Sequence, residues 1–490
     1  MEGSLVVTLS SMDRSGAAVG RDGAERLLVH GGIPGERVRV RRGRAVGHGT
    51  LCELVEVVEP SPHRVVPRCR HAAVCGGCSW QHVSYHEQLR IKTRALDSLL
   101  QRELGALAPP VRHMIGTPVA EDGMPWGFRQ KAAFVFAPGP DGLAMGHFAR
   151  GTHDVVPVVE CPVHPERANR IAFALRDELR RGGVAAAGDA LAGVARHVLV
   201  RASQDAREAV ALLVVTRRAP ELEAPLAALL ACPERPDGLA LNLHDRPGPY
   251  LVGRETQRVA GNGHVREEAL GPAFLVAPTS FFQTNVAAAS VLVRLVHEAL
   301  SAESGQRVLD LYSGAGLFAL PLALRGHTVT AVEESRKSVS DAELNRRTNR
   351  VAAERLKLVA SSVERALPHL KPGAFDAVVL DPPRDGASPA VLREVFGRLR
   401  PRRAVLVSCN PDALARELKH ALGAGYRVVR VQPVDMFPHT PHVEAVAVLE
   451  RLGDRPSAAR ERGARPPRPS SRSRTPGSRK PPARGRTPTP

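Results

Sequence analysis

The amino-acid sequence predicts an α/β protein: a C-terminal domain with a mostly parallel sheet, a mixed α+β middle domain and a small N-terminal β-barrel. After residue 284, strand and helix patterns alternate, which is typical of a parallel sheet covered on both faces. Before residue 60 the strand patterns are short and closely spaced, and between these regions strands are interrupted by Ala-rich helical segments. We therefore expect domains at 1–60, 61–284 and 285–452, followed by a tail at 453–490.

The first predicted domain consists of short strands separated by turn residues such as Asp22-Gly23, which indicates a small barrel. It contains a basic stretch, and side-chain alternation along a strand places Arg37, Arg39 and Arg41 on one face. Such a face could follow a phosphate backbone, or it could be the solvated face of an edge strand.

The middle region is predicted to contain a helix at 86–104, where leucines recur at helical spacing, and strands at 131–136, 197–201 and 209–215. A cysteine-rich stretch precedes the helix.

Four of the seven cysteines form a candidate metal site. Cys69, Cys75 and Cys78 are closely spaced, and Cys161 follows much later. An odd cysteine count without a secretion signal argues against a disulfide framework and favours metal binding or catalysis. Four thiolates can enclose a zinc ion or an iron–sulfur cluster, and the spacing does not choose between them. Unliganded thiols in a loop-rich segment are the alternative.

The predicted sheet of the last domain has strand candidates at 308–311, 328–332, 377–380 and 404–407. The carboxyl ends of such strands form the edge at which open α/β sheets bind ligands. Residues that follow these strands directly are therefore the first candidates for a functional site.

A glycine turn and two acids lie at this edge. The turn Tyr312-Ser313-Gly314-Ala315-Gly316 lets a ligand approach the backbone, and Glu333, at the end of the next strand, can accept hydrogen bonds from ribose hydroxyls. The pattern suits an adenosine-containing ligand but does not separate a dinucleotide from S-adenosylmethionine. Asp381 follows the third strand, in a loop stiffened by two prolines. A simple structural turn is the alternative for each motif.

Cys409 follows the fourth strand and precedes a predicted helix that begins near Asp412. A helix N-terminus carries partial positive charge, so we expect it to favour the thiolate. A thiolate can add to C6 of a pyrimidine and thereby activate C5, which is otherwise a poor nucleophile. Glu444 precedes a further apolar strand and could remove the C5 proton, or it could be a solvated carboxylate.

Five segments, in this order, resemble the bacterial RNA 5-methyluridine methyltransferases, and the resemblance spans about 5–452. The segments are 280–285 (SFFQTN), 310–316 (DLYSGAG), 381–384 (DPPR), 408–411 (SCNP) and 437–444 (FPHTPHVE).

This resemblance implies a Rossmann-like methyltransferase domain that transfers a methyl group from S-adenosyl-L-methionine to C5 of a uridine in RNA, with 23S rRNA favoured over tRNA. It implies that Cys409 is the nucleophile and Glu444 the proton acceptor. The target base should be flipped out of its stack, because a thiolate cannot reach C6 inside a helix. The residues expected to bind S-adenosyl-L-methionine are Gln283, Tyr312, Glu333 and Asp381, with Gly314 in the turn.

The resemblance also implies a [4Fe-4S] cluster held by Cys69, Cys75, Cys78 and Cys161, with zinc as the alternative occupant. In the first domain, segment 32–38 (GIPGERV) resembles the signature of the TRAM barrel, an OB-like RNA-binding module.

The formal net charge of +18 fits a polyanionic partner such as RNA. About half of the excess lies in the tail at 453–490, which is rich in Pro, Ser and Arg and is expected to be disordered. The tail could add RNA affinity or have no specific role. Without a signal-peptide pattern or a long apolar run, we expect a cytoplasmic, monomeric protein with no membrane partner.

Two other functions remain open from the sequence alone. A cytosine-C5 RNA methyltransferase would use the same thiolate chemistry, and a non-catalytic RNA-binding protein could retain the fold.

Overall fold

The computed structural model of the protein describes residues 4–140, 142–188, 190–247, 251–268, 271–300 and 305–453. Most of the basic tail, at 454–490, lies outside the described residues. Within the described ranges, no helix combines the length and the apolar character that a bilayer span requires.

The N-terminal strands close into a barrel in the order β1-β2-β3-β5-β4, which confirms the predicted barrel. Its core contains apolar side chains from alternating positions, such as the fully buried Val38 and Val40. The strands are β1 (Ser4–Met12), β2 (Ala18–Asp22), β3 (Glu25–Val29), β4 (Arg37–Val46) and β5 (Gly49–Glu59).

The arginines of β4 are paired with carboxylates of the adjacent strand β5. Arg39 Nε lies 3.0 Å from Glu56 Oε2, and Arg41 Nη1 lies 2.9 Å from Glu53 Oε2. Arg37 contacts Glu59 in the same way. These pairs lie directly opposite one another in the antiparallel register. These ion pairs offset the positive charge of this face in the free protein.

The middle of the chain forms a second sheet from seven of the described strands, in the order β12-β11-β10-β9-β6-β7-β8. Helices α2 and α3 pack on it through the core that includes Leu175 and Leu229. The small hairpin β13–β14 follows. The elements are α1 (Tyr85–Leu104), β6 (Lys131–Gly139), β7 (Gly142–Phe148), β8 (Val155–Pro157), α2 (Glu166–Arg181), β9 (Ala195–Ala202), β10 (Ala209–Val215), α3 (Glu223–Ala231), β11 (Gly238–Leu243), β12 (Glu255–Gly261), β13 (Val265–Glu268) and β14 (Ala273–Val276).

The C-terminal sheet also contains seven described strands, in the order β17-β16-β15-β18-β19-β21-β20. The first five are parallel and the last two are antiparallel to their neighbours, so the prediction of a mostly parallel sheet is confirmed. The elements are α4 (Val286–Leu300), β15 (Arg307–Leu311), α5 (Ala319–Leu324), β16 (Thr328–Glu333), α6 (Arg336–Thr348), β17 (Leu356–Ala360), α7 (Val363–Ala366), β18 (Ala377–Leu380), α8 (Pro389–Leu392), β19 (Arg403–Ser408), α9 (Pro411–Gly423), β20 (Tyr426–Val434) and β21 (Glu444–Arg451).

Both faces of this sheet are buried, which explains why its strands are continuous apolar runs. Val308 of β15 packs in the core on one face, and Leu309 and Leu311 pack in the core on the other. Helix α1 contributes Leu96 and Leu100 to the second of these cores. The helix that follows the cysteine-rich segment therefore packs against the C-terminal sheet.

Strand direction brings the start of β21 to the ligand-binding edge of the sheet. Because β21 runs antiparallel to β19, Ala445 pairs with Ser408 at the carboxyl end of β19. Glu444 and Cys409, which are 35 positions apart in the sequence, are thereby neighbours of this pair.

Candidate active site

A cavity of about 1270 Å³ is lined by every site residue that the sequence predicts. The carboxyl edge of the C-terminal sheet forms one side of it, and the cysteine-rich segment forms another. The predicted residues in its wall are Cys69, Cys75, Cys78, Cys161, Gln283, Tyr312, Gly314, Glu333, Asp381, Cys409 and Glu444.

The glycine turn after β15 is fixed by the acid at the end of β16. Glu333 accepts hydrogen bonds from the backbone N–H of Gly314 at 2.9 Å and of Ser335 at 2.7 Å. Tyr312 adopts a φ of 63°, in the left-handed region that costs a non-glycine residue about 1–3 kcal/mol. A carboxylate has about four acceptor sites, so Glu333 retains capacity for ribose hydroxyls beside the turn.

Cys409 lies between β19 and α9, one position before the N-cap residue of that helix. Asn410 caps the helix, and its side-chain oxygen accepts the N–H of Asp412 at 3.0 Å. Burial raises the pKa of the Cys409 thiol to about 11, the negative charges of Glu444 and Asp381 add to this effect, and Arg384 opposes it. The expectation of a favoured thiolate is therefore wrong for the free protein.

The carboxyls of Glu444 and Asp381 both lie close enough to Cys409 for their charges to act on its thiol. Glu444 is 2% exposed, so it is not a solvated carboxylate. Burial raises the pKa of Asp381 to about 7, and burial together with the charge of Asp381 raises the pKa of Glu444 well above its usual value. Both carboxyls therefore hold a proton more readily in the free protein than a solvated acid does.

The four predicted ligands Cys69, Cys75, Cys78 and Cys161 are free thiols on one side of the cavity. Burial raises the pKa of Cys78 to about 11, and the charges of Cys75 and Cys69 add to it. Burial likewise raises the pKa of Cys161, with Cys78 as the nearest charge. Four thiols in the wall of one cavity are the kind of donor that a zinc ion or an iron–sulfur cluster takes. The donor set thus fits a four-cysteine metal site.

Two histidines near Cys161 were not predicted from the sequence. The ligand atoms of His147, Cys161 and His164 all lie within 4.8 Å of one another. His147 Nε2 is buried without a hydrogen-bond partner in the described part of the chain, and His164 Nδ1 lies 3.3 Å from Arg129 O. The C-x-x-H spacing from Cys161 to His164 is the signal that could have identified one of them.

Asp310 is a second residue that sequence reasoning missed. It is fully buried beneath the glycine turn, and burial followed by the charge of Asp381 raises its pKa well above the usual value. The sequence feature that could have identified Asp310 is an acid within the apolar run of β15, because buried carboxyls are rare unless they have a function.

A glycine turn and a cysteine lie at the carboxyl edge of a mostly parallel α/β sheet of seven described strands, which is the architecture expected of a methyltransferase. A family model described as tRNA (Uracil-5-)-methyltransferase matches residues 273–452. Similarity to whole proteins extends beyond that range.

Relatives match nearly the whole chain. An RNA methyltransferase of Gloeobacter violaceus, described as uncharacterized, is 35% identical over 89% of this chain and 94% of its own length. The 23S rRNA (uracil(1939)-C(5))-methyltransferase RlmD of Cronobacter sakazakii is 34% identical over 91% of this chain and 96% of its own. The chain therefore belongs to the RNA (uracil-C5) methyltransferase family and is an S-adenosylmethionine-dependent enzyme of that class.

A solved structure agrees with this assignment. The tRNA (uracil-54, C5)-methyltransferase of Pyrococcus abyssi, in complex with S-adenosyl-L-homocysteine, superposes with a TM-score of 0.74 and 26% identity. The match covers 91% of this chain and all of that one.

Proposed function

We propose that this enzyme methylates C5 of a uridine in 23S rRNA, with Cys409 as the nucleophile and Glu444 as the base. The observation that carries the proposal is the shared cavity wall, which contains the half-buried thiol of Cys409, the carboxyls of Asp381 and Glu444, and the glycine turn. This arrangement supplies a nucleophile, a proton acceptor and a cofactor site to one substrate.

The choice of ribosomal RNA rests on the relative from Cronobacter sakazakii, whose name states that substrate and whose match covers both chains almost fully. Transfer RNA is the second candidate, because the solved structure is of a tRNA enzyme at lower identity. We propose no position for the target nucleotide.

The chemistry follows from the thiol. Cys409 first loses its thiol proton to solvent. Its Sγ then adds to C6 of the flipped uracil, the electrons of the C5–C6 double bond move into an enolate, and C5 becomes nucleophilic. S-adenosylmethionine supplies the methyl group when bound. Glu444 then takes the C5 proton, the C5–C6 double bond forms again and the C6–S bond breaks, which returns Cys409 as a thiolate. Arg384 lies where its charge favours the thiolate during this cycle.

Five residues are proposed to hold the methyl donor. Glu333 has acceptor capacity beside the turn for the ribose hydroxyls, and Gly314 gives the ligand access to the backbone. Gln283, Tyr312 and Asp381 line the same part of the cavity and complete the set.

We further propose a [4Fe-4S] cluster on Cys69, Cys75, Cys78 and Cys161, with zinc as the alternative. Four cysteine ligands would leave no open metal position, so its role would be to tie segment 69–78 to Cys161 and shape the cavity. Anaerobic purification followed by iron, sulfide and zinc assays decides between the two occupants.

The proposed organisation is a TRAM-like RNA-binding barrel at 1–60, a cluster-bearing middle domain at 61–284 and a methyltransferase domain at 285–452. The closed barrel of β1 to β5 and the C-terminal sheet of β15 to β21 support the first and last of these units.

The test of the proposed function uses RNA that carries 5-fluorouridine. Wild-type protein should form a covalent complex with 23S rRNA fragments that survives denaturation, because fluorine at C5 cannot leave as a proton does. Cys409→Ala should form none. Trapping on tRNA alone would select the second candidate, and 5-methylcytidine as the product in unmodified RNA would overturn uridine as the target.

A further inference from the structure

His439 is a buried residue that precedes the strand carrying Glu444 and contacts the cysteine-rich segment. It is fully buried and adopts a φ of 64°, which is strained for a residue other than glycine. Its Nε2 lies 2.9 Å from Pro125 O, and its ring stacks on Trp126 at a centroid distance of 4.7 Å. Contacts with surrounding residues must hold His439 in this backbone conformation, because an isolated peptide would adopt a less strained one.

The backbone of His439 makes hydrogen bonds to helix α1 and to the cysteine-rich segment. Its N–H donates to Gln88 Oε1 at 2.8 Å, and its carbonyl accepts the backbone N–H of Trp80 at 2.9 Å. Trp80 follows the proposed cluster ligand Cys78 by two positions. The same peptide is thus bound by helix α1 and by the cysteine-rich segment.

Gln88 connects these two partners. Its side chain is fully buried, and Nε2 donates to Trp80 O at 3.0 Å and to Val83 O at 2.8 Å while Oε1 accepts from His439. A single carboxamide therefore contacts three backbone groups that burial removes from water. Losing it would leave the N–H of His439 without this partner, while Trp80 O would keep the backbone N–H of Val83 at 3.0 Å.

The segment fixed in this way forms part of the cavity wall. Its cavity-lining residues lie on both sides of His439 and end at the start of β21: Phe437, Pro438, Thr440, His442 and Glu444. A second buried bond, from Lys92 Nζ to Asp435 Oδ1 at 2.6 Å, holds the other end of the segment to the same helix α1. Helix α1 thus determines where the segment enters the cavity.

We propose that Gln88 is a positioning residue for methyl transfer: by holding the His439 peptide it sets the position of Glu444 against the uracil. The inference rests on the proposed role of Glu444 in the reaction. Gln88 itself does not line the cavity and touches no reacting atom, so it acts only through His439. Displacement of a reacting group by about 1 Å can lower a rate about 100-fold, so a fixed peptide has a direct kinetic effect.

The experiment compares Gln88→Met with Gln432→Met. Gln432 is a matched control because it is also buried and its Nε2 donates to two backbone carbonyls, His113 O at 2.7 Å and Pro433 O at 3.0 Å, outside segment 437–444. Methionine conserves volume in both variants and removes only the hydrogen bonds. Gln88→Glu is the third variant, since it keeps the oxygen that accepts from His439.

We expect Gln88→Met to lower kcat on uridine-containing RNA by roughly 10- to 100-fold, with KM for S-adenosylmethionine unchanged. Its covalent trapping on 5-fluorouridine RNA should persist, because trapping needs Cys409 but not removal of the C5 proton. Gln88→Glu should recover part of kcat. Gln432→Met should keep wild-type kcat.

Equal kcat for Gln88→Met and Gln432→Met would overturn the inference, as would a Gln88→Glu variant no faster than Gln88→Met. If Gln88→Met does not fold, the inference is tested by comparing kcat of Gln88→Glu with kcat of Gln432→Met. A kcat of Gln88→Glu below one tenth of the Gln432→Met value would contradict the proposed role of the Gln88 oxygen. Absence of trapping by wild-type protein would instead reject the proposed function.

Discussion

The environment of Cys409 favours the protonated thiol in the free protein. Burial and the charges of two carboxyls raise the pKa of its thiol, while Arg384 opposes them. A free thiolate in this cavity would be exposed to oxidants and alkylating agents. A thiol whose pKa is raised in the free protein is less open to these reactions.

The role of Glu444 can be separated from that of Cys409 by Glu444→Gln. The amide cannot take the C5 proton, so methylated RNA should remain bonded to Cys409. We expect a covalent RNA adduct that resists denaturant to accumulate on unmodified RNA, visible as a shifted band on a denaturing gel. Cys409→Ala is the control without adduct, and multiple turnovers of Glu444→Gln would contradict the assignment.

Glu417 makes the stability of the protein depend on pH. It is 1% exposed in α9, accepts the N–H of Ala387 at 2.7 Å, and burial raises its pKa from the usual 4.5 to about 7. Because the folded-state pKa is the higher one, its contribution to stability is fully present below pH 4.5 and is lost as the pH rises through 7.

Glu417→Gln should remove this dependence. We expect the variant to gain up to roughly 3 kcal/mol relative to wild type between pH 5 and pH 8, as the buried charge is avoided. Urea unfolding at the two pH values measures the difference. A stability change that is the same at both pH values would show that Glu417 does not titrate in this range.

At the scale of the element, the sequence predicted those parts that depend on local pattern. The apolar runs of β15, β16, β18 and β19 and the residues after them led to Gly314, Glu333, Asp381 and Cys409, because both faces of the sheet are buried. The position of Glu444 next to Cys409 depends on the antiparallel direction of β21. That direction is known only from the assembled sheet. His147 and the protonation of Cys409 depend on neighbours that are distant in sequence, so no local pattern could have predicted them.

A substitution in the cysteine-rich segment should also change the dynamics of the segment before β21, residues 437–444. Cys78→Ser removes one proposed ligand two positions from Trp80, which holds the His439 peptide. We expect lower iron content and faster amide hydrogen exchange in residues 437–444. Cys232→Ser, outside the cavity wall, is the control, and unchanged exchange after loss of iron would show that the two segments are independent.

At the scale of the whole molecule, positive charge is distributed unevenly. About half of the formal excess of +18 lies in residues 453–490. Phosphate contacts make RNA affinity depend on salt, by a factor that grows with the number of phosphates neutralised.

Removal of residues 454–490 should therefore weaken RNA binding at low salt and leave kcat at saturating RNA unchanged. Titrations at several salt concentrations should give a shallower slope of log affinity against log salt than the full chain gives. An unchanged slope would show that the tail makes no phosphate contacts.

The arginines of β4 act differently from those of the tail, because each already faces a carboxylate of β5. An RNA phosphate that approached this strand would have to displace that carboxylate, so one anion would replace another. Few counterions would be released in such an exchange. We therefore expect the arginines of β4 to add little to a salt-dependent attraction for RNA.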